Sequence, residues 1–328
     1  MHPISAAPVG AIRKTSIQHL PVNLFASVMG IAGLSLAWQY AQQTLGASPL
    51  VAQGCGLLAL LAYAVMLAAY VFKAMRYPEA VNAEFEHPVL ANFFGSIAIA
   101  TLLASSLLER YSTVLHQLLW TCGVVLTFAI SFVIVSRLLK GGTDGAGAVP
   151  AWLIPGVATL DIAVTGATMP MAWAHEVNLL AASDGLVLAV LLYGLIVARL
   201  VHCAALPPAM TPSLLVLVAP FAVGFLAYVN LTGRVDAAAA LLFYFALFIF
   251  AVTAAKVFRR PAPFAPAWWA ISFPLAALAS AALKYAAAVP LTGLSVLAAI
   301  LLAFLSITIA VLLARTLVVL FNGTLLGG

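Results

Sequence analysis

Apolar stretches long enough to cross a lipid bilayer recur along almost the whole chain, and only short polar segments separate them. A helix needs about 20 apolar residues to span the hydrocarbon core of a bilayer. Hydrophobic residues make up 65% of the 328 residues and charged residues only 7%, whereas soluble domains contain about 25% charged residues. Because a soluble chain could not hide this much apolar surface from water, the sequence predicts an all-α integral membrane protein.

Hydropathy predicts ten transmembrane helices, and the short gaps between them favour antiparallel helical hairpins. The predicted spans are 21–41, 50–73, 88–108, 113–137, 150–173, 178–201, 212–232, 237–257, 266–288 and 292–318. The chain therefore divides into a cytoplasmic N-terminal tail (1–20), a ten-helix transmembrane domain (21–320) and a short C-terminal tail (321–328).

The distribution of basic residues orients these spans. If the N-terminus lies inside the cell, the outer ends hold only Arg110, Arg234 and Lys284. The inner ends and loops then hold the other eleven basic residues, namely Arg13, Lys14, Lys73, Arg76, Arg137, Lys140, Arg199, Lys256, Arg259, Arg260 and Arg315. This excess predicts that both termini are cytoplasmic. No Lys/Arg run exceeds two residues, so the net charge of +5 reflects membrane topology and not binding to nucleic acid.

Proline separates the odd-numbered spans from the even-numbered ones. Each odd span begins at or near a proline, and no even span has a proline inside it. Helix-disturbing residues inside the odd spans are Gly30, Gly33, Gly95, Pro155, Pro220 and Pro274. An interior proline removes a hydrogen bond and kinks the helix, which is tolerated in lipid where the freed carbonyl faces a wet cavity or a neighbouring helix.

This alternation predicts five helical hairpins, each made of a kinked odd helix and a straight even one. The odd helices would form an inner ring that lines a pore, with Gly30, Gly33, Pro155 and Pro274 among its kinks, and the even helices would brace it outside. The alternative is that proline is simply common in membrane helices.

Residues able to carry chemistry are scarce. Only Asp161 lies well inside a span, and it is either a proton or cation site or a carboxylate paired within the bundle or facing water. Lys284 either attracts anions to a pore mouth or extends to the membrane interface. Metal-ligand spacings, catalytic-triad motifs and phosphate-binding glycine loops are absent from the sequence, so we expect no metal, no cofactor and no enzymatic activity.

A pore walled by small and apolar residues without fixed charges could pass an ion that stays partly hydrated. Basic residues flanking such a pore favour anions over cations. The composition and charge pattern therefore favour small anions as the transported species, with the lipid bilayer as surroundings.

Four segments, in the same order, resemble the tellurite-resistance/dicarboxylate transporter family, which includes the slow anion channels of plant guard cells. They are MGIAGLSLAW at 29–38, EFEHPV at 84–89, LVAP at 217–220 followed by Tyr228, and WWAISFPL at 268–275. The resemblance implies ten helices in five hairpins, odd helices lining a pore in each subunit, a homotrimer, and a bacterial inner-membrane location. It also implies that Phe273 plugs the pore as a gate.

The leading hypothesis is an anion channel or channel-like exporter that passes small anions passively through a pore gated by Phe273. The alternative is a proton-coupled carrier of dicarboxylate, sulfite or tellurite-type oxyanions that uses Asp161 as its proton site. A membrane scaffold or sensor subunit that needs a soluble partner is a third possibility.

Overall fold

The computed structural model describes residues 16–141, 145–259 and 263–326. Most of the predicted tail 1–20 therefore lies outside the described residues, as do Arg13, Lys14 and Arg260. The α-helices are α1 (Phe25–Leu45), α2 (Pro49–Arg76), α3 (Pro78–Glu86), α4 (Phe94–Leu108), α5 (Thr113–Leu139), α6 (Leu153–Thr165), α7 (Ala174–His202), α8 (Ala219–Thr232), α9 (Ala237–Arg259), α10 (Ser272–Ala288) and α11 (Thr292–Phe321).

The described part of the chain contains helices and no strands, which confirms the all-α class. Nine of its helical segments are long and apolar enough to cross a membrane, and a tenth, Pro150–Thr165, is apolar but shorter. Exposed apolar side chains cover the alternate helices, for example Phe132 (75% exposed) and Leu241 (74% exposed). Such surfaces suit hydrocarbon and not water, so the architecture is that of an integral membrane protein.

The predicted fifth span, 150–173, is too long at its C-terminal end. Helix α6 ends at Thr165, and Gly166 follows as its C-cap. Gly166 lies so close to Trp120 and Asn178 that an added Cβ would clash with both side chains. Pro170, four residues further on, disfavours helical backbone at the residue before it. Hydropathy detects the apolar residues of 166–173, but it detects neither the close contact at Gly166 nor the effect of Pro170 on the backbone.

Hydropathy does not predict helix α3, because residues 74–87 lie between the second and third predicted spans. The helix is short and polar, so it carries no hydropathy signal. Its sequence nevertheless holds a helix-start signal, since Pro78 occupies the first turn and Glu79 places a negative charge there.

Two groups of helices differ in burial. We call α1, α4, α6, α8 and α10 the core helices, and α2, α5, α7, α9 and α11 the peripheral helices. Four of the core helices, taken together with the 3₁₀ residues that precede them, are long enough to span a membrane, and 72% to 89% of their most apolar stretch is buried. The corresponding fraction in the peripheral helices is 22% to 39%. Every residue of α6 except Val164 is buried as well.

Each core helix packs on the peripheral helix that follows it in the chain. The core helices also contact one another in sequence: α1 with α4, α4 with α6, α6 with α8, α8 with α10, and α10 with α1. Consecutive helices joined by short connections thus lie side by side, as in helical hairpins.

A 3₁₀ segment of between 3 and 11 residues precedes every core helix. These segments are Val22–Leu24, Leu90–Phe93, Pro150–Trp152, Pro208–Val218 and Pro266–Ile271. The 3₁₀ segments contact their neighbours in the same order as the core helices, and the last of them contacts the first. Each 3₁₀ segment and the core helix that follows it make up one core segment, so every core segment changes helix type along its length.

A buried ion pair fastens α3 to the rest of the protein. Lys73, which is 1% exposed, donates hydrogen bonds from Nζ to Glu84 Oε2 (2.9 Å) and to the carbonyl oxygen of Leu20 (2.8 Å). Tyr70 donates its hydroxyl proton to the same carboxylate at 2.7 Å, and the backbone N–H of Val22 donates to Glu84 Oε1 at 3.3 Å. Glu84 therefore links α3, α2 and the segment that leads into α1.

Replacing Glu84 by Ala should lower the melting temperature of the detergent-solubilised protein, because the ammonium of Lys73 stays buried without its counter-charge. Breaking a buried pair in this way typically costs about 3–5 kcal/mol. Thermal unfolding followed by size-exclusion chromatography measures the effect. Glu79→Ala is the matched control, since Glu79 is exposed on the same helix. Equal melting temperatures of the two variants would contradict a stabilising role for the contacts of Glu84.

Candidate functional site

A narrow cavity lies where the five core helices converge. Every core segment contributes to its wall. The lining residues are Ala26 and Met29 from α1, Phe93, Ser96 and Ile99 from the α4 segment, Ile154 and Val157 from α6, Val216 and Ala219 from the α8 segment, and Trp269, Ala270, Phe273 and Pro274 from the α10 segment. Nearly all of these side chains are apolar, so the cavity offers an ion no fixed charge.

The cavity is narrow. Its volume available to the centres of water-sized spheres is about 30 Å³, and a single water needs about 10–15 Å³ measured in this way. It therefore has room for about two waters and none for a hydrated anion. Phe273 is 6% exposed and forms part of the wall.

Polar contacts hold the backbone beside Phe273 in place. Ser272 Oγ lies 2.7 Å from the carbonyl oxygen of Trp269 and 3.1 Å from that of Ala26, so it can donate to the preceding 3₁₀ segment or across to α1. Trp269, which is fully buried, donates Nε1–H to Thr316 Oγ1 of α11 at 2.8 Å. Trp269 and Ser272 therefore tie the backbone that leads into Phe273 to neighbouring helices.

A wider cavity of about 260 Å³ lies on the side where the core segments begin. It too draws on all five core segments, and Phe93 and Ala270 line both cavities. Its wall includes the polar side chains of Asn23, His87 and Ser213. The two cavities thus follow one another along the axis of the core helices, with the narrower one at Phe273.

The three glycines predicted to line the pore lie at helix contacts. A Cβ added to Gly30 would lie 2.5 Å from Ser272 Cβ, and one added to Gly33 would lie 2.6 Å from Ala276 Cβ, both on α10. A Cβ on Gly95 would lie 3.0 Å from Ile154 Cγ2 of α6. The glycines therefore allow core helices to approach closely, and neighbours such as Met29 and Ser96 line the cavity.

The three interior prolines lie where the 3₁₀ segments change to α-helix. Pro155, Pro220 and Pro274 occupy the third, second and third positions of α6, α8 and α10. Proline is well tolerated at the first turn of an α-helix, because its missing N–H has no intrahelical partner there. Pro274 lines the cavity, Pro220 follows the lining residue Ala219, and Pro155 follows the lining residue Ile154.

Asp161 is buried in α6 with 1% of its surface exposed. Among the described residues its Oδ2 atom has no hydrogen-bond partner and its carboxyl makes no ion pair. It lies seven positions after the cavity-lining Ile154, which is about two helical turns, so both side chains project from the same face of α6. The described residues contain no group of three potential ligands that could hold a metal ion.

The apolar cavity wall was not identifiable from the sequence beyond Phe273 and Pro274. The core helices are apolar on every side because they are buried on every side, so hydrophobic periodicity does not distinguish a pore face from a packing face. Ser96 carries the one hydroxyl of the wall, and this hydroxyl donates to the carbonyl oxygen of Phe93 in the preceding 3₁₀ segment.

Comparison with known proteins agrees with this architecture. The chain matches the SLAC1 family, described as voltage-dependent anion channel, over residues 19–317. The tellurite resistance protein TehA homolog of Haemophilus influenzae is 26% identical over 286 residues, which cover 84% of each chain. The guard cell S-type anion channel SLAC1 of Arabidopsis thaliana is 27% identical over 285 residues, which cover 82% of this chain and 50% of the plant protein.

The S-type anion channel SLAH2 of the same plant is 25% identical over 274 residues, which cover 81% of this chain and 52% of the plant protein. The chain therefore spans about half the length of these plant relatives. The architecture is that of a multi-pass membrane protein. The chain belongs to the SLAC1 family of anion channels and transporters, which confirms the resemblance found in the sequence.

Gly33→Ala should destabilise the protein, because the added methyl group meets Ala276 Cβ and pushes α1 away from α10. Gly54→Ala is the matched control, since a Cβ at this exposed position of α2 would meet nothing within 4 Å. The control should melt at the parent temperature or above it, because alanine favours helix by about 1 kcal/mol over glycine. Melting curves in detergent compare the two; a Gly33→Ala protein as stable as Gly54→Ala would contradict the close-packing role.

Proposed function

We propose that this protein is a passive channel for small anions, with a pore along the axis of the five core helices and Phe273 as its gate. The observation that carries the proposal is the narrow apolar cavity lined by all five core segments, with Phe273 in its wall. An apolar constriction of this size has no room for a hydrated anion, so an ion that enters it faces a large dehydration barrier. The structure described here is then a closed state.

Membership of an anion channel family supports anions as the transported species. Because the wall lacks fixed charges, selection between anions would follow their dehydration cost, so weakly hydrated anions would pass more easily. We also propose that the core helices form the inner ring and the peripheral helices the outer ring of each subunit. Three such subunits would form a trimer in a bacterial inner membrane with both termini in the cytoplasm, as the family resemblance and the distribution of basic residues indicate.

Gate opening needs only a local change in this proposal. A rotation about the side-chain torsions of Phe273 would move its ring out of the cavity, and such rotamer changes cross low barriers. Pro274 and the change from 3₁₀ to α-helix at Ser272 place the gate at a point where the segment can bend.

Replacing Phe273 by Ala should raise chloride or nitrate current in reconstituted bilayers at least about tenfold, which corresponds to a barrier lower by about 1.4 kcal/mol. The reason is that the shortened side chain lets water fill the constriction. Single-channel recording or anion flux from liposomes measures the change.

Phe225→Ala is the matched control for this experiment. Phe225 is fully buried on core helix α8 but does not line the cavity, so its loss removes the same volume elsewhere. We expect current at the parent level from this variant. A folded Phe273→Ala protein with unchanged current would exclude Phe273 as the gate.

A proton-coupled carrier is a second candidate, and Asp161 favours it. Asp161 is buried, makes no ion pair within residues 16–141, 145–259 and 263–326, and lies on the helix face that also lines the cavity, which suits a group that binds and releases a proton. A passive channel has no need of such a group, because a charged carboxylate there would repel anions.

Asp161→Asn separates the two functions. In a carrier the variant should lose oxyanion uptake driven by a pH gradient and keep any passive leak, because asparagine has the size of aspartate but cannot exchange a proton. In a passive channel, flux should not depend on the pH gradient in either protein. Liposome uptake of sulfite and of a dicarboxylate, with and without a gradient, measures the difference. Gradient-driven uptake that survives in the variant would exclude Asp161 as the proton site.

A further inference from the structure

We propose that Lys284 and Tyr40 form a binding site for a small monovalent anion, which Asn230 holds in place and which lies beyond Phe273 on the same pathway. This inference rests on the proposed anion pathway and adds to it a site outside the narrow cavity at Phe273. The three side chains come from core helices α10, α1 and α8.

Helical geometry places these side chains on the pathway face. Lys284 lies eleven positions after Phe273, Tyr40 eleven positions after Met29, and Asn230 eleven positions after Ala219. Phe273, Met29 and Ala219 all line the central cavity. Eleven residues make about three turns of α-helix and a rise of about 16 Å, so each polar side chain points the same way as the cavity residue of its helix.

The contacts bring the three residues together. Lys284 Nζ donates a hydrogen bond to Asn230 Oδ1 at 2.6 Å. The same nitrogen lies 5.1 Å from the centre of the Tyr40 ring, within the range of a cation–π contact. Thr44 Oγ1 is within hydrogen-bond distance of the Leu283 carbonyl oxygen (3.2 Å), which ties α1 to α10 at this level.

Donors remain available at this site. The ammonium of Lys284 has three N–H groups, and Asn230 accepts one of them. Within the described residues the Tyr40 hydroxyl makes no hydrogen bond, so it can donate to the same ligand. Both side chains are half-buried, which strengthens the attraction between the ammonium and an anion relative to bulk water.

Asn230 acts as a positioning residue. Its Nδ2–H donates to the carbonyl oxygen of Val164 on α6 at 2.7 Å, while its Oδ1 accepts from Lys284. These two contacts fix the amide between α6 and α10, so Asn230 acts by holding the Lys284 ammonium in place. A lysine fixed in this way cannot extend freely to the membrane interface.

The charges at the site favour a monovalent anion. Lys284 makes no ion pair among the described residues, so its positive charge is available to a ligand. Lys284 supplies the positive charge of the site, and a second negative charge on the ligand would meet no second cation among the three side chains. Chloride or nitrate fits this arrangement better than a dicarboxylate does.

The test measures how anion current saturates in the Phe273→Ala background, with nitrate added on the Lys284 side and gluconate keeping the ionic strength constant. Adding Lys284→Met should raise the half-saturating nitrate concentration about tenfold, because the charge-assisted hydrogen bonds to the anion are lost. Lys284→Arg should keep it within about threefold of the background value, because arginine preserves the charge.

Arg234→Met is the matched control, because it removes one exposed positive charge from the loop at the same end of the core helices. It should leave the half-saturating concentration unchanged. Two results would overturn the proposal: an unchanged half-saturating concentration in Lys284→Met, or an equal shift in Arg234→Met, which would indicate only long-range surface charge.

A second measurement keeps this proposal separate from the proposed channel function. If Phe273→Ala carries no anion current, the nitrate dependence of the melting temperature decides, because a ligand that binds the folded state stabilises it. The parent protein and Lys284→Arg should be stabilised by nitrate relative to gluconate, and Lys284→Met should not. Equal stabilisation of the parent and Lys284→Met would overturn the site.

Discussion

Water is absent from the hydrocarbon core of a bilayer, and this constraint explains both the helices and their close packing. Every backbone N–H and C=O must be satisfied inside the protein, so the spanning segments are helical. Burial of apolar surface gives little attraction between helices in lipid, and packing contacts take its place. The approach of α1 to α10 at Gly30 and Gly33 is such a contact, and it positions the helix that carries Phe273.

The change from 3₁₀ to α-helix in the core segments separates two cavities along the axis of the core helices. The 3₁₀ segments surround a cavity of about 260 Å³ with polar side chains such as Asn23 and His87. The start of the α-helical parts surrounds the narrow apolar cavity at Phe273. Three turns further on, Tyr40, Asn230 and Lys284 present polar groups again. An anion on this axis would leave a polar region, cross one apolar constriction and reach a second polar region.

Much of this architecture was predictable from the sequence. Hydropathy predicts the membrane-spanning helices, and the placement of proline distinguishes the odd-numbered spans from the even-numbered ones. The all-α membrane class and the family were predicted and are confirmed. Helix α3 and the early end of α6 at Gly166 were missed, since hydropathy overlooks a short polar helix and a steric contact with Trp120. The contact of Lys284 with Asn230 joins residues that are 54 positions apart, so only the folded chain reveals it. The orientation of the termini stays a prediction.

The central claim is that anions pass along the axis of the core helices through the constriction at Phe273. Thiol accessibility tests it most directly, with cysteine in place of Ala219 on the cavity wall, in a Phe273→Ala protein whose three native cysteines are replaced. A small anionic thiol reagent should modify this cysteine and block the anion current, while a cysteine in place of the lipid-exposed Phe132 should leave the current unchanged. Current that persists after complete modification at position 219 would contradict the claim.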